Sequence, residues 1–369
     1  MRELSLCMIV KDEEKYLADC LNSVHGVMDE IIIVDTGSTD STTEIAKRYT
    51  DKIYHFKWIN DFAAARNFSF SKATKDFVMW LDADDIITEV NRQKLLLLKE
   101  KLTDKMDCII AEYYATFDGE GNPSSVFPRT RIVRRAANLQ WFGAIHEMIQ
   151  NGREGVYVDI FITHNKKEAE FFSYDRNLNI IMELIKAGTA TVREYFYLGL
   201  MKYFTEEDDE AFEAFDKVIN SEYFGEFDPM EMFVAMHNMY RKHGEKEKAI
   251  EILESNKKLM EDKAEYYCVL GLAYKEDYND LETASHLFKQ ALRCRGTFND
   301  KKYPSQRNLE YYYYAPHFLL GKIHLQKKDA VGALNCFERA ASYRISEQTD
   351  QLIQKLKELL IKQRELEYA

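Results

Sequence analysis

Three short acidic clusters carry most of the chemistry that this sequence could perform. They are Lys11-Asp12-Glu13-Glu14, Asp35 to Asp40, and Asp82-Ala83-Asp84-Asp85. The third follows an apolar run, Phe77 to Leu81, and such a run should not end in three acids unless they are solvated or ligated. Asp82 and Asp84 are spaced so that both carboxylates reach one rim, where they can hold a hard divalent cation through oxygen. A cation there would bridge a diphosphate and neutralise the charge that builds on a leaving group. Further along, Trp141-Phe142-Gly143-Ala144-Ile145-His146-Glu147 sets a His-Glu pair behind an aromatic pair and a glycine. His164 stands at the end of a strand expected from Val156 to Ile162.

Competing local roles are clear for some of these residues. Ser41 and Glu44 have the spacing of a capping box, and Asp61 before Phe62-Ala63-Ala64-Ala65 reads as an N-cap. Asp12, Glu13 and Glu14 would also complement the start of a helix. A lone His such as His146 is ordinarily a core residue satisfied by a carbonyl.

The elements that must position these groups alternate. Strands are expected at Leu4–Val10, Glu30–Val34, Lys52–Phe56 and Asp76–Leu81, with helices near Lys15–Val24, Ser41–Tyr49 and Asp61–Ala73. Such alternation implies a parallel sheet with crossover helices, whose ligands bind at the carboxyl ends of the strands. A later Arg-rich strand, Arg129 to Arg135, reads as a solvated face with the diphosphate as its other use. From about Arg193 the pattern is helix only, with a repeat. Leu198-Gly199, Ala211, Phe215 and Val218 fit the tetratricopeptide spacing, as do Leu320-Gly321, Ala333, Phe337 and Ala340. Leu270-Gly271, Ala284, Phe288 and Ala291 fit with one inserted residue, and Met236, Tyr240, Ala249 and Leu253 form a weaker copy. Arg295 to Leu309 interrupts the spacing and reads as a loop. The expected division is 1–190, an α/β domain with a linking helix, and 191–369, an all-α repeat domain.

Composition agrees with two globular domains: 369 residues, 46% hydrophobic and 30% charged. A net charge of -12 argues against nucleic acid or an anionic membrane surface as partner. The six cysteines show no metal or CxxC spacing and read as buried thiols in a reducing compartment. No stretch has the form of a signal peptide or a membrane span, so the expected location is the cytoplasm, without stable membrane insertion.

Met8 to Glu14, Val34 to Ser41, Ala65-Arg66-Asn67 and Trp80 to Asp85, in this order, resemble family 2 glycosyltransferases of the GT-A, Rossmann-like fold. The resemblance covers about residues 1–165, and the appended repeats are similar to the subgroup of glycocin S-glycosyltransferases, which modify Cys or Ser of a bacteriocin peptide. It implies a UDP-sugar donor and a divalent metal, Mn²⁺ or Mg²⁺. It further implies Asp12 and Glu13 beside the uridine and Asp35 on the uracil or ribose. Arg66 would lie near the base or diphosphate, Asp82 would face ribose and metal, and Asp84 would ligate the metal. Asp12 departs from the family, where Asn is common. His164 would be a third metal ligand. Inversion, itself inferred from the family, requires a base to deprotonate the acceptor; Glu147 is the candidate base, and His146 beside it is the other candidate catalytic residue.

The expected activity is transfer of a hexose to a Cys, Ser or Thr side chain of a peptide or protein, bound in the groove of the repeats. Transfer to a surface polysaccharide or lipid-linked sugar is the alternative, and a non-catalytic repeat scaffold a further one. Homodimerisation is a second use for the repeats. A nucleotidyltransferase would need a Gly-rich basic loop after the first strand, where this chain is acidic. No P-loop or GxGxxG supports a kinase or a dehydrogenase.

Overall fold

The computed structural model describes residues 2–149, 155–165, 174–222, 224, 228–294 and 307–367. The chain folds as two compact units, Met1–Thr116 with Val126–Thr189, and Phe117–Ser125 with Ala190–Ala369. Most of the segment from Arg295 to Leu309, expected as a loop, lies outside the described residues.

In the first unit, strands β1 (Leu4–Val10), β2 (Glu30–Asp35), β3 (Ile53–His55) and β4 (Phe77–Trp80) alternate with helices α1 (Leu17–Ser23), α2 (Thr42–Ala46) and α3 (Phe62–Ser71). Then follow β5 (Asp85–Ile86), α4 (Glu89–Lys101), β6 (Cys108–Phe117), β7 (Pro123–Arg134), β8 (Trp141–Phe142), β9 (Met148–Ile149), β10 (Val156–His164) and α5 (Tyr174–Ala187). The sheet runs in the order β3-β2-β1-β4-β7-β6-β10-β5, while β8 and β9 form a separate pair. β1, β2, β3 and β4 are parallel, as the alternation requires. β7 is antiparallel to β4, so the sheet is mixed rather than wholly parallel.

Strand order reverses between β1 and β4, since β2 and β3 lie on one side of β1 and β4 on the other. That reversal opens a crevice at the carboxyl ends of the strands. Lys11-Asp12-Glu13, Thr36 to Asp40 and Leu81 to Asp84 all emerge at this edge. The core beneath is apolar, with Leu4, Leu6, Met8, Ile33, Phe77, Met79 and Leu81 essentially inaccessible. At the opposite edge the buried Glu30 accepts hydrogen bonds from Ser5, Lys52 and Thr74, which ties the strand starts together.

Local capping differs in one place from expectation. Asp61 caps α3 by accepting from the Ala64 N–H at 2.8 Å, as its position predicts. Ser41 makes no side-chain cap on α2. Asp40 does this work instead, accepting from the Thr42 N–H at 2.9 Å, while Glu14 accepts from the Ser41 N–H at 3.0 Å. The neighbouring strand-end loop thus supplies the carboxylate that Glu44 was expected to offer.

The second unit is built from helix pairs: α6 (Val192–Phe204) with α7 (Asp208–Ile219), α8 (Met230–Lys242) with α9 (Lys246–Ser255), α10 (Ala264–Asp277) with α11 (Leu281–Ala291), and α12 (Ala315–Gln326) with α13 (Ala330–Ala341). A final helix, α14 (Glu347–Glu367), packs on α13. The repeat spacing has a direct physical cause. A Cβ placed on Gly199, Gly271 or Gly321 would lie 2.3, 2.6 or 2.7 Å from Phe215, Phe288 or Phe337, each ring fully buried. Only glycine lets the two helices of a pair close over the ring. The weaker copy solves the same volume problem in reverse. His237 stands where the others have glycine, Leu253 replaces the ring, and His237 Nδ1 shares a 2.7 Å hydrogen bond with the Ala249 carbonyl. All six cysteines are unpaired; Cys7, Cys20, Cys108 and Cys268 are buried, whereas Cys294 and Cys336 are half-exposed.

Candidate active site

Helix α3 organises the site. Its Phe62 N–H donates to the Ala144 carbonyl at 2.9 Å. Its Asn67 side chain makes reciprocal bonds to the Trp141 backbone, at 2.9 and 2.8 Å. Between these anchors, Arg66 donates from Nε to Glu147 Oε1 at 2.5 Å and from Nη2 to Asp82 Oδ1 at 2.7 Å. The guanidinium lies 4.6 Å from the Trp80 ring centroid and 4.9 Å from that of Trp141. Ala65-Arg66-Asn67 is therefore a docking device. It holds the segment from Trp141 to Glu147 against the end of β4 and brings Glu147 next to Asp82.

Electrostatics follow from this clamp. Burial works against charge on Arg66, but Asp82 and Glu147 overcome it and raise the guanidinium above its ordinary range. Burial likewise disfavours the Asp82 carboxylate, yet Arg66 and Arg131 hold its pKa well below the usual range. Arg66 thus engages two carboxylates directly.

The acids at the end of β4 split into two roles. Asp84, Asp85 and His164 each offer a ligand atom, and these atoms all lie within 4.8 Å of one another. The antiparallel pairing of β10 with β5 sets His164 across from Asp85. His164 Nδ1 is 3.5 Å from Asp84 Oδ1 and shares a 2.8 Å hydrogen bond with the Tyr113 hydroxyl. Asp85 is inaccessible; its Oδ2 accepts from the Asp82 N–H at 2.9 Å and from Arg131 Nη1 at 2.8 Å. Its Oδ1 has no hydrogen-bond partner among the described residues. Burial pushes the Asp85 pKa up against the pull of Arg131, and Asp82 adds to the rise. An orphaned carboxylate oxygen beside a second carboxylate and an imidazole is a donor set that suits a divalent cation. Asp85 was not among the ligands that sequence suggested, whereas Asp84 and His164 were. Asp82, expected beside the metal, is turned to Arg66.

The loop after β1 meets the loop after β2 through polar bonds. Asp12 has φ +53° and accepts from the Thr39 N–H at 2.7 Å. Its own N–H donates to Ser38 Oγ at 3.0 Å, and the Glu13 N–H donates to Thr42 Oγ1 at 2.7 Å. Asp35 is buried and accepts from the N–H groups of Gly37 and Ser38 at 3.2 and 3.0 Å; His55 Nδ1 lies 3.4 Å away. Asp12, Glu13 and Asp35 thus line one end of the crevice, and Asp82 and Glu147 another. His146 is exposed at φ +47° beside Glu147 rather than packed in the core. An open groove of about 810 Å³, lined by Asn60, Arg176, Asn179, Met182, Glu183 and Lys186, flanks α3 on the side of α5. Arg176 stacks on Phe62 at 4.8 Å within electrostatic reach of Glu147 and Glu13.

Residues 5–153 match the family model "Glycosyl transferase family 2". The chain is 28% identical over 226 residues to the SPbeta prophage-derived glycosyltransferase SunS of Bacillus subtilis, covering 58% of this chain and 52% of that protein. It is 48% identical over 153 residues to a TPR repeat-containing protein of Synechococcus elongatus, covering 41% of this chain and 36% of that one. It thus spans about half the length, or less, of these curated relatives. Among solved structures, it is similar to S. aureus TarS residues 1–349 in complex with UDP, at 14% identity and a TM-score of 0.34, covering 80% of this chain and 93% of that one.

Proposed function

From a chain that carries a family 2 glycosyltransferase domain followed by a tetratricopeptide-like helical region, we propose an inverting glycosyltransferase that moves a hexose from a UDP-sugar to a peptide or protein side chain. The observation that carries this reading is the Arg66 clamp. It sets Glu147 beside Asp82, whose chain neighbours Asp84 and Asp85 group with His164 at the strand ends.

In this reading Asp12, Glu13 and Asp35 meet the nucleoside at one end of the crevice. Glu147 takes the proton of the attacking acceptor side chain, and Arg66 fixes the rotamer of that carboxylate. Asp84, Asp85 and His164 would hold Mn²⁺ or Mg²⁺, which when bound supplies Lewis-acid neutralisation of the leaving diphosphate. Trp80 and Trp141 shield the clamp from water and so strengthen its hydrogen bonds. The peptide acceptor is supported by the helix pairs, a repeat architecture whose concave faces take extended peptides. No helix among the described residues is long and apolar enough to cross a membrane.

Thermal shift with UDP, GDP and CMP, each with and without Mn²⁺, tests the donor half. Stabilisation by UDP that requires the metal is expected, and indifference to all three nucleotides would overturn the reading. Incubation with UDP-hexoses and candidate peptides, followed by mass spectrometry, tests the acceptor half; a product found only on glycolipid would refute it.

A further inference from the structure

Strand β7 carries three arginines whose environments differ. Arg131 is paired with Asp85, and Arg134 with Asp107 at 2.6 Å. Arg129 makes no hydrogen bond or ion pair among the described residues. Its guanidinium rests instead on an aromatic shelf, 4.6 Å from the Phe127 centroid, 5.4 Å from Tyr113 and 5.9 Å from Trp80. Asp82 and Glu147 lie within electrostatic reach without touching it. β7 lies beside β4, with Val78 paired to Val133 and Met79 to Ile132, so Arg129 stands further along the strand toward the end of β4 that carries Asp82.

Holding such a cation is unfavourable for the unliganded fold. Burial and the like charge of Arg131 both pull its pKa down. An unpaired, partly desolvated guanidinium costs free energy that an apolar side chain of the same length would not. Arg66 is already committed to two carboxylates, and Arg131 to Asp85. Among the described residues, a diphosphate that enters the crevice at Asp82 and Glu147 therefore meets in Arg129 a guanidinium with all its donors unspent. The planar fork matches two phosphate oxygens, and the aromatic shelf fixes its plane in advance.

We propose that Arg129 binds the diphosphate of the donor. This rests on the transferase reading above. The other anion that could use the same chemistry is a carboxylate on the acceptor.

The test is calorimetric titration of the full chain with uridine, UMP and UDP in the presence of Mn²⁺, for wild type, Arg129→Met and Arg129→Lys. A charge-assisted bidentate contact corresponds to a loss of affinity on the order of 10- to 100-fold. Arg129→Met is expected to lose that much for UDP and to bind uridine as wild type does. Arg129→Lys should fall between, because it keeps the charge and loses the fork. Without ligand, Arg129→Met should melt at or above the wild-type temperature, an outcome that a merely structural role would not give. Equal UDP affinity in wild type and Arg129→Met overturns the proposal. So does an equal loss for uridine and UDP, or a lowered melting temperature. A raised acceptor KM with UDP affinity intact overturns it in favour of an acceptor carboxylate. If the wild type binds neither uridine nor UDP, the transferase reading itself fails and this one with it.

Discussion

Replacing Arg66 by Met should destabilise the first unit far more than a surface ion pair would suggest. The Arg66 side chain is 7% exposed and Glu147 10%, whereas Asp82 is 34% exposed. Asp82 can therefore return to water when its partner is removed, and its share of the loss is that of a half-solvated pair, below about 1 kcal/mol. Glu147 cannot do so, and stranding one partner of a buried pair costs about 3–5 kcal/mol. Met keeps most of the packing between Trp80 and Trp141, so the aromatic contribution changes less. The net expectation is a loss of about 3–4 kcal/mol, dominated by Glu147. The chain has three tryptophans, Trp58, Trp80 and Trp141, all in the first unit. Tryptophan fluorescence during urea unfolding therefore reports on that unit without a signal from the repeats. Combining Arg66→Met with Glu147→Gln removes the stranded charge, so the double variant should recover about 2 kcal/mol relative to the sum of the two single losses. A single-variant loss below about 1 kcal/mol, or strict additivity in the cycle, would show that the clamp is not formed in solution.

Glu147→Gln should keep UDP binding and lower the rate of transfer by roughly 10²- to 10⁴-fold, and an unaltered single-turnover rate would remove Glu147 as base. Gly321→Ala tests the helix-pair geometry. The gain in helix propensity is about 1 kcal/mol, but a Cβ at 2.7 Å from the fully buried Phe337 ring forces repacking, so a net loss of about 1–2 kcal/mol is expected. A stabilised variant, read by far-UV circular dichroism on heating, would contradict the close approach. Glu265 gives the repeat unit a pH dependence. Burial pushes its carboxyl up to about 7, against the hydrogen bond from the Asn308 N–H. The folded state holds this proton more tightly than the unfolded chain does. The stability it contributes is therefore complete below about pH 4.5 and is lost as pH rises toward about 7, by about 3 kcal/mol in all. Glu265→Gln should flatten that slope, and an unchanged pH profile of the melting temperature would refute the assignment.

Much of this molecule is legible in its sequence because the relevant physics is local. Apolar runs of strand length alternating with amphipathic helices specify the parallel strands β1 to β4, and the rule that ligands sit at carboxyl ends puts Asp12, Asp35 and Asp82 on one edge. Gly199 with Phe215 and Gly321 with Phe337 declare helix pairs because a missing side chain and a large ring must answer each other at fixed spacing. The same argument reaches His237 with Leu253 only after the structure shows the exchange of volumes, since neither residue is diagnostic alone.

What the tertiary structure decides is which carboxylate meets which partner. Arg66 and Glu147 are distant in sequence, and no periodicity connects them; α3 joins them because Asn67 and Phe62 dock the intervening segment. Asp85, rather than Asp82, joins Asp84 and His164 because β10 pairs antiparallel with β5, while Arg66 draws Asp82 away. Ser41 loses its expected cap because a loop from another strand brings Glu14 to its N–H. In each case a local preference is worth about 1 kcal/mol, and a charged partner brought in by the fold outweighs it. Sequence sets which groups are available at the rim; long-range strand pairing and buried charge set which of them touch.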